Sequence, residues 1–412
     1  MIRDLGPGLI TGAADDDPSG IATYSQAGAQ FGFAMLWTVV VTLPLMIAIQ
    51  LVSARIGNAT GRGLAANIRS AFPIWVVYTI VGMLLVANIL NLSADIAAMA
   101  EALRLVVGGS AHIYAVTFGL ACLVLQVFLP YSTYVRWLKW LTLALLAYVG
   151  VAFAAHADWW QVALNLLHPP FAWNHDSLLL VVAVFGTTIS PYLFFWQAGQ
   201  EVENLAGTDQ KPSTVATVRQ DLRRTKIDTV VGMTFSNLIA FFIIVSAATT
   251  LHAHGITDIE TSAQAAEALR PLAGDLTFFL FSLGIIGTGM LAVPVLAGSA
   301  AYAVAEASGW QGSLNLRLDR GEGRGFYGVI AAATLGGVVL CFLPMDPIKQ
   351  LFWAAVLNGV IAVPIMAVMM LLGSRRATMG ARVISRRLRL LGWCATAAMA
   401  LTVLATMLTA WT

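Results

Sequence analysis

The stretch from Thr11 to Ala29, TGAADDDPSGIATYSQAGA, places three consecutive carboxylates inside a segment that is otherwise apolar enough to cross a membrane. A charge at membrane depth is costly and indicates a functional site. Pro18 lacks an N–H and Gly20 adds backbone freedom, so we expect a broken helix whose freed carbonyls face protein or water. The alternative, a loop before a span that starts near Ile21, is less favoured because residues 21–30 are too polar to begin one. Carboxylates, carbonyls and the Ser19 hydroxyl together outline an oxygen-rich cation site.

The composition confines the chain to the membrane. Of its 412 residues, 58% are hydrophobic and only 11% are charged, with a mean hydropathy of +0.79. Soluble domains carry roughly 25% charged residues, so we expect a polytopic membrane protein. The net charge of +2 gives no indication of a nucleic-acid partner, and the expected partner besides a small substrate is the lipid bilayer. The sequence leaves the oligomeric state open.

Apolar runs of spanning length predict an all-α protein with eleven transmembrane helices. Because no segment between them is long enough to fold separately, we expect one transmembrane domain over residues 1–412. The predicted spans cover approximately residues 9–31, 35–51, 74–103, 114–128, 138–155, 178–198, 227–249, 276–305, 326–343, 351–372 and 390–409.

The basic residues test this count independently of hydropathy. With a cytoplasmic N-terminus, only Arg104, Arg270 and Lys349 of the 23 Lys and Arg residues fall in segments on the outside. Lys and Arg concentrate in cytoplasmic loops, and a missed helix would scramble the alternation. The distribution therefore predicts a cytoplasmic N-terminus and an outside C-terminus. The short loops favour a bacterial inner (plasma) membrane.

A second break is predicted in the sixth span, where Pro191 follows small hydroxyl residues in GTTISPY, residues 186–192. The first span enters from the inside and the sixth from the outside, five helices later. Paired interruptions in two halves of opposite orientation are typical of inverted-repeat transporters, whose site lies between the breaks. We therefore expect a five-plus-five repeat, with halves at about 9–155 and about 178–372, and an additional helix at about 390–409.

Residues 6–37, GPGLITGAADDDPSGIATYSQAGAQFGFAMLW, closely resemble the first helix of the Nramp (natural resistance-associated macrophage protein) transition-metal transporters, whose motif is Asp-Pro-Gly-Asn. The second family motif, Met-Pro-His in helix six, corresponds to Ser190, Pro191 and Tyr192. The resemblance implies a LeuT-like fold with helices 1 and 6 broken. It also implies transport of a divalent metal ion by alternating access and not catalysis. The metal would then be the substrate, and no cofactor is expected.

The departures from the family motifs fall at the site itself. Asp17 matches the Asp of the first motif, but Gly20 replaces the Asn that lends a side-chain oxygen. Thr187 corresponds to the family's Ala, whose backbone carbonyl binds the metal. Ser190 replaces the soft Met ligand, and Tyr192 replaces the His. This pattern is similar to the Nramp-related magnesium transporter branch.

The replacements predict a hard-cation site. Thioether sulfur suits soft metals, whereas carboxylate, hydroxyl and carbonyl oxygens suit Mg²⁺, Ca²⁺ and Mn²⁺. The expected metal ligands are the Asp17 carboxylate, the Ser190 hydroxyl and backbone carbonyls near Ala14 and Thr187, while Gly20 leaves extra volume. Mg²⁺ gives up its waters reluctantly, and a wider oxygen-lined site fits a partly hydrated ion. We therefore expect uptake of Mg²⁺, with Mn²⁺ also accepted.

A wider set of polar residues is predicted for the ion pathway or the surroundings of the site: Asp15, Asp16, Tyr192, Asp95, Asn88, Asn91, Gln197, Glu201, Asn237 and Asn358. The spacing of Asn88, Asn91 and Asp95 puts them on one helical face, which we expect to look toward the site. Hydrogen bonding between helices explains the two asparagines equally well. Asp15 and Asp16 are expected to line the vestibule or to accept backbone N–H bonds rather than to bind the ion.

Proton coupling is not expected. The family's proton route uses a histidine and an acidic pair, which correspond here to Tyr192, Asp95 and Ala98, and no histidine remains at membrane depth. A group that titrates near neutral pH is the usual shuttle. The rival functions are a proton-coupled Mn²⁺ or Fe²⁺ transporter, a sodium-coupled transporter of a small organic substrate, and a channel. An intramembrane hydrolase is the least favoured, since it needs an activated nucleophile or a metal-bound water.

Overall fold

The computed structural model describes residues 7–129, 141–170, 172–207, 215–316 and 322–410, and all regular structure within them is helical. The helices of eight or more residues are α1 (Pro7–Asp15), α2 (Pro18–Phe31), α3 (Leu36–Thr60), α4 (Leu64–Ala71), α5 (Ile74–Val107), α6 (Ala111–Phe128), α7 (Leu146–Ala154), α8 (Trp159–Leu167), α9 (His175–Thr188), α10 (Pro191–Gly207), α11 (Val215–Thr250), α12 (Thr277–Ser308), α13 (Arg324–Leu340), α14 (Pro347–Ser374) and α15 (Arg386–Thr409). Shorter helical turns cover Gly32–Met35, Leu141–Leu145, His252–His254, Ser262–Glu267, Arg270–Ala273, Gly274–Leu276, Arg376–Met379 and Gly380–Arg382.

The all-helical membrane fold is confirmed, whereas the count of eleven spans stays a prediction. Among the described residues, 8 stretches are long and apolar enough to cross a membrane, and α7 with α8, bent by 107°, makes a ninth if the pair crosses as one. The first two predicted spans run together in one of these stretches, Pro18–Thr60. Helix α13 is apolar but has only 17 residues, fewer than any of these eight stretches. Residues 138–140 of the predicted fifth span lie outside the described residues.

The first predicted break is confirmed: α1 ends at Asp15 and α2 begins at Pro18. Asp17 has an extended backbone (φ −73°, ψ 171°), and its carboxylate accepts the Gly20 N–H at 2.8 Å. This N-cap bond satisfies one of the N–H groups that a helix start leaves unpaired. Pro18 occupies the first helical position, where its missing N–H costs nothing. Local chemistry alone therefore ends one helix and starts the next.

The second break repeats this arrangement. Helix α9 ends at Thr188 and α10 begins at Pro191. The Ser190 hydroxyl lies within hydrogen-bonding distance of two carbonyl oxygens in the last turn of α9, those of Gly186 at 2.9 Å and Thr187 at 2.7 Å. In both breaks, therefore, the carbonyl end of one helix meets the proline start of another.

The broken helices lie at the centre of the molecule. Helices α1 and α2 pack along α11, α9 packs along α14, and α2 also contacts α9 and α5. The most apolar part of the α9–α10 stretch is 94% buried, compared with 33% for α15. The predicted additional helix is thus peripheral, while the boundaries of the two predicted repeats stay a prediction.

Close helix packing beside the second break depends on Gly186. A Cβ atom at this position would overlap the carbonyl of Ala355 and the backbone of Gly359 in α14. Small residues at such contacts let two helix backbones approach within a membrane. Gly186 therefore fixes the distance between α9 and α14.

We expect Gly186→Ala to lower the thermal unfolding temperature of the detergent-solubilised protein, because overpacking of this kind costs about 1–3 kcal/mol. Gly82→Ala in α5 is the matched control, since a Cβ there meets open space. Equal unfolding temperatures for the two variants would contradict the packing argument.

Candidate cation site

Tyr192 joins the two breaks. Its hydroxyl, at the start of α10, lies 3.1 Å from Oδ2 of Asp17 and 3.2 Å from the carbonyl oxygen of Ala14. The Ala14 carbonyl belongs to the last turn of α1, where intrahelical partners run out. Two of the expected ligand groups, the Asp17 carboxylate and the Ala14 carbonyl, are therefore both within hydrogen-bonding distance of the Tyr192 hydroxyl.

Hydroxyl pairs join α2 to α9 beside this point. Ser19 Oγ lies 3.2 Å from Thr187 Oγ1, and Tyr24 Oη lies 2.8 Å from Thr188 Oγ1. All four side chains are buried. These contacts hold the residues just after the first break against the residues just before the second one.

Gly20 faces the same region. A Cβ built there would lie 3.3 Å from Cε2 of Tyr24, which is a tight contact, 3.4 Å from the Asp15 carbonyl oxygen and 3.5 Å from Thr187 Oγ1. Gly20 therefore lies against the Tyr24 ring and beside two oxygen atoms, and a side chain here would have to displace that ring.

A second group of polar contacts joins α1, α10 and α11. Thr11 Oγ1 donates to Gln197 Oε1 at 2.7 Å, Gln197 Nε2 donates to Glu201 Oε1 at 3.2 Å, and Thr225 donates to the same carboxylate. Asp17 is only 2% exposed, so its carboxylate is shielded from solvent in this structure. Gln197 and Glu201 lie in the polar contact between α1, α10 and α11.

Asp15 and Asp16 share a partner that the sequence analysis missed. The Ser236 hydroxyl of α11 lies 2.7 Å from Asp15 Oδ2 and 2.9 Å from Asp16 Oδ1. Within the described residues, the two carboxylates use this hydroxyl in place of the expected backbone N–H groups. The neighbouring Asn237, which we had expected near the site, donates instead to the Val39 carbonyl at 2.8 Å. A Ser-Asn pair in an apolar run was the available signal.

Asp95 reaches the site from α5. It is fully buried, and neither of its carboxylate oxygens has a hydrogen-bond partner among the described residues. Helix α5, which carries Asp95, contacts α2, which begins directly after Asp17. A buried charge without a partner is costly, so this group of carboxylates attracts a positive charge.

The asparagines behave differently from Asp95. Asn91 and Asn358 exchange two side-chain hydrogen bonds, at 2.9 and 3.1 Å, which join α5 to α14. Asn88 donates to the Leu296 carbonyl and to Ser299 Oγ in α12. These amides connect helices, which is one of the two interpretations that the sequence left open.

The polar groups that meet at the two breaks are oxygen donors. Among the described residues, no three His, Cys, Asp or Glu side chains are grouped so that they could hold a metal ion by themselves. An ion between the breaks would therefore combine the Asp17 carboxylate with backbone carbonyl and hydroxyl oxygens. The C-terminal ends of α1 and α9 carry partial negative charge, which also favours a cation.

Helices of spanning length, two of them broken beside a buried carboxylate, are the architecture of an integral membrane transporter. A family model described as natural resistance-associated macrophage protein-like matches residues 8–409. The chain therefore belongs to the Nramp family, which confirms the resemblance of the first helix. Members are metal-ion transporters and not enzymes, and the metal is their substrate and not a cofactor.

Known proteins agree with this assignment. Proteins described as divalent metal cation transporter MntH are 26% identical in Klebsiella pneumoniae (94% of this chain, 90% of that protein) and 28% identical in Acidiphilium cryptum (91% and 83%). The fold is shared with the Eremococcus coleocola manganese transporter, at a TM-score of 0.77, 16% identity and coverage of 98% and 85%. It is also shared with Mhp1, a nucleobase-cation-symport-1 family transporter in a closed conformation, at a TM-score of 0.58, 14% identity and coverage of 99% and 93%.

We expect Ser236→Ala to lower the unfolding temperature and to weaken the stabilisation that added Mn²⁺ provides, because it removes the donor shared by Asp15 and Asp16 at a cost of about 1–3 kcal/mol. Ser282→Ala is the matched control, since Ser282 donates to the Ala102 carbonyl away from the breaks. Thermal unfolding with and without Mn²⁺ distinguishes them. An equal rise in unfolding temperature on adding Mn²⁺ in both variants would show that Ser236 does not contribute to the site.

Proposed function

We propose that this divalent metal cation transporter carries its ion between the two breaks by alternating access, with Asp17 as the charged ligand. The observation that supports this most directly is the meeting of the Asp17 carboxylate and the Ala14 carbonyl at the Tyr192 hydroxyl, among buried residues. The Ser190 hydroxyl and the Thr187 carbonyl complete the proposed ligand set from the second break. In this structure these two groups are hydrogen-bonded to each other, so an ion would take the place of that bond.

We further propose that the preferred ion is Mg²⁺ and that Mn²⁺ is accepted. The side chains at the breaks offer carboxylate, hydroxyl and phenol oxygens, which suit hard cations and give no preference for soft ones. The Asp15 carbonyl and the Thr187 hydroxyl beside Gly20 are oxygen atoms that could accept hydrogen bonds from the waters that a Mg²⁺ ion retains. Abundant hard cations are therefore not excluded by the ligands.

The proposed transport is uncoupled from protons. Tyr192 stands where the family has its histidine, and it donates a hydrogen bond to Asp17 without titrating near neutral pH. The ion would then move down its own gradient and the membrane potential. By the distribution of Lys and Arg, uptake would run toward a cytoplasmic N-terminal side, in a bacterial inner membrane.

A second candidate is proton-coupled transport of Mn²⁺, and one observation favours it. Asp95 is a buried carboxylate without a hydrogen-bond partner among the described residues, close to Asp17, and is able to carry a proton. Met99, one turn further along α5, lies with its sulfur beside Gly289 near Pro18. A thioether at that place would restore a soft ligand.

Uptake into proteoliposomes that contain a pH-sensitive dye separates the two candidates. Mg²⁺, Mn²⁺ and Cd²⁺ are supplied one at a time, with and without a membrane potential. Saturable uptake of Mg²⁺ without internal acidification supports the proposal. Uptake of Mn²⁺ and Cd²⁺ with acidification, and none of Mg²⁺, supports the second candidate, and Met99→Leu would then weaken Cd²⁺ uptake.

We expect Asp17→Asn to reduce uptake of every transported ion about a hundredfold or more, because it removes the ligand charge at nearly constant volume; even outer-shell changes at metal sites cost about 10–100-fold. Asp158→Asn is the matched control, since Asp158 caps α8 at an exposed position. Wild-type uptake by Asp17→Asn proteoliposomes would refute the proposed ligand.

Selectivity gives a second test of the site. Gly20→Asn together with Ser190→Met restores the family's amide and thioether, provided that the Tyr24 ring, 3.3 Å from a Cβ built at Gly20, shifts by a few tenths of an ångström. We expect a gain in Cd²⁺ and Mn²⁺ uptake relative to Mg²⁺ of about tenfold, the scale of 1.4 kcal/mol in ligand preference. Ser190→Ala removes the hydroxyl without adding sulfur and should show no such gain. An unchanged ion ratio in the double variant would mean that these positions do not set selectivity.

A further inference from the structure

A cavity of about 480 Å³ opens between α3, α11 and α15, at the end of the molecule where Lys and Arg cluster. Its wall is largely apolar and includes Ile47, Leu51, Val230 and Leu391. None of the proposed metal ligands lines the cavity; Thr225, which donates to Glu201, is part of its wall. Its occupant must therefore have a large apolar part.

Three cations stand at this cavity: Arg55 of α3, Lys226 of α11 and Arg387 of α15. No Asp or Glu lines it, and none of the three cations forms an ion pair with another described residue. Like charges brought together from three helices repel each other unless an anion lies between them. The cluster thus indicates an anionic group at the cavity mouth.

The first turn of α15 adds to this field. Ser385 lines the cavity and caps α15, with its hydroxyl accepting the Leu388 N–H at 3.3 Å. The N-terminal end of a helix carries partial positive charge. The N-terminal end of α15 and the three basic side chains therefore all contribute a positive potential to the cavity.

We propose that the cavity binds an anionic phospholipid, with the phosphate at the three cations and an acyl chain along the apolar wall. The surface beside the cavity is apolar and open to lipid: Ile227 and Leu390 are 53% and 66% exposed. Basic pockets between transmembrane helices are suited to anionic headgroups, and an amphipathic ligand also satisfies the wall. A soluble anion would leave the wall uncovered, and a zwitterionic headgroup would bring a positive charge to the cations.

The bound lipid would connect helices that otherwise meet only through side chains. Its phosphate would bridge the ends of α3, α11 and α15, and its chain would fill the gap between them. Since α3 and α11 also pack against each other beside α1 and α2, the lipid would stabilise the closed basic end of the transporter.

The test compares phospholipid binding by variants of the full-length protein in a neutral detergent, by native mass spectrometry and thermal unfolding. Lys226→Gln with Arg387→Gln removes two cavity charges. Arg376→Gln with Arg389→Gln removes two exposed charges from the same end of the molecule that do not line the cavity. Each basic residue near an anionic lipid contributes about 1 kcal/mol, so we expect about thirtyfold weaker phosphatidylglycerol binding in the first variant and little change in the second.

Two further arms distinguish a lipid from a free anion. Val230→Trp keeps all the charges but fills the apolar wall, and we expect it to weaken phosphatidylglycerol binding as well. Phosphatidylcholine and inorganic phosphate should stabilise the unaltered protein less than phosphatidylglycerol does. Equal phosphatidylglycerol affinity in the two charge variants, an unaffected Val230→Trp variant, or equal stabilisation by inorganic phosphate would each overturn the proposal. None of these outcomes depends on which ion the transporter carries.

Discussion

The contact between the Tyr192 hydroxyl and the first break is the interaction on which the site depends. It holds the Asp17 carboxylate next to the Ala14 carbonyl, and it does so from α10, the helix that follows the second break. A carboxylate at this depth is stable only if hydrogen bonds or a cation compensate for lost water. Helix packing brings the breaks together. The Tyr192 hydroxyl then orients the Asp17 carboxylate and the Ala14 carbonyl relative to each other.

The two breaks were predictable from sequence because their causes are local. Proline is suited to the first position of a helix, and Asp17 and Ser190 bond to backbone groups within three or four residues of their own positions. Proline alone is not sufficient, because Pro44, Pro294 and Pro364 lie inside continuous helices. The spacing of Asn88, Asn91 and Asp95 predicted one shared helical face, and all three residues are buried in the structure. These inferences required no knowledge of how the helices rotate about their axes.

Helix rotation explains what the sequence did not predict. Ser236 and Asn237 are adjacent in α11, and neighbours on a helix point about 100° apart, so only one of them faces the first break. Helix α11 packs against both α1 and α3. Ser236 faces α1 and contacts the first break, whereas Asn237 faces α3. Likewise, the mutual bonds of Asn91 and Asn358 depend on the register between α5 and α14. The number of spans does not follow from length and hydropathy alone, because α7 and α8 form a bent pair and α13 is short.

The proline starts of α2 and α10 have a mechanical consequence. Because Pro18 and Pro191 have no N–H to donate, neither residue bonds backward to the helix that precedes it. The two rods of each broken helix are therefore linked by the covalent chain and a few side-chain contacts. The angle between the two rods can therefore change at each junction without breaking a backbone hydrogen bond from the proline. Tilting α1 away from α10 would release the Tyr192–Ala14 contact while the cap at Asp17 travels intact with α2.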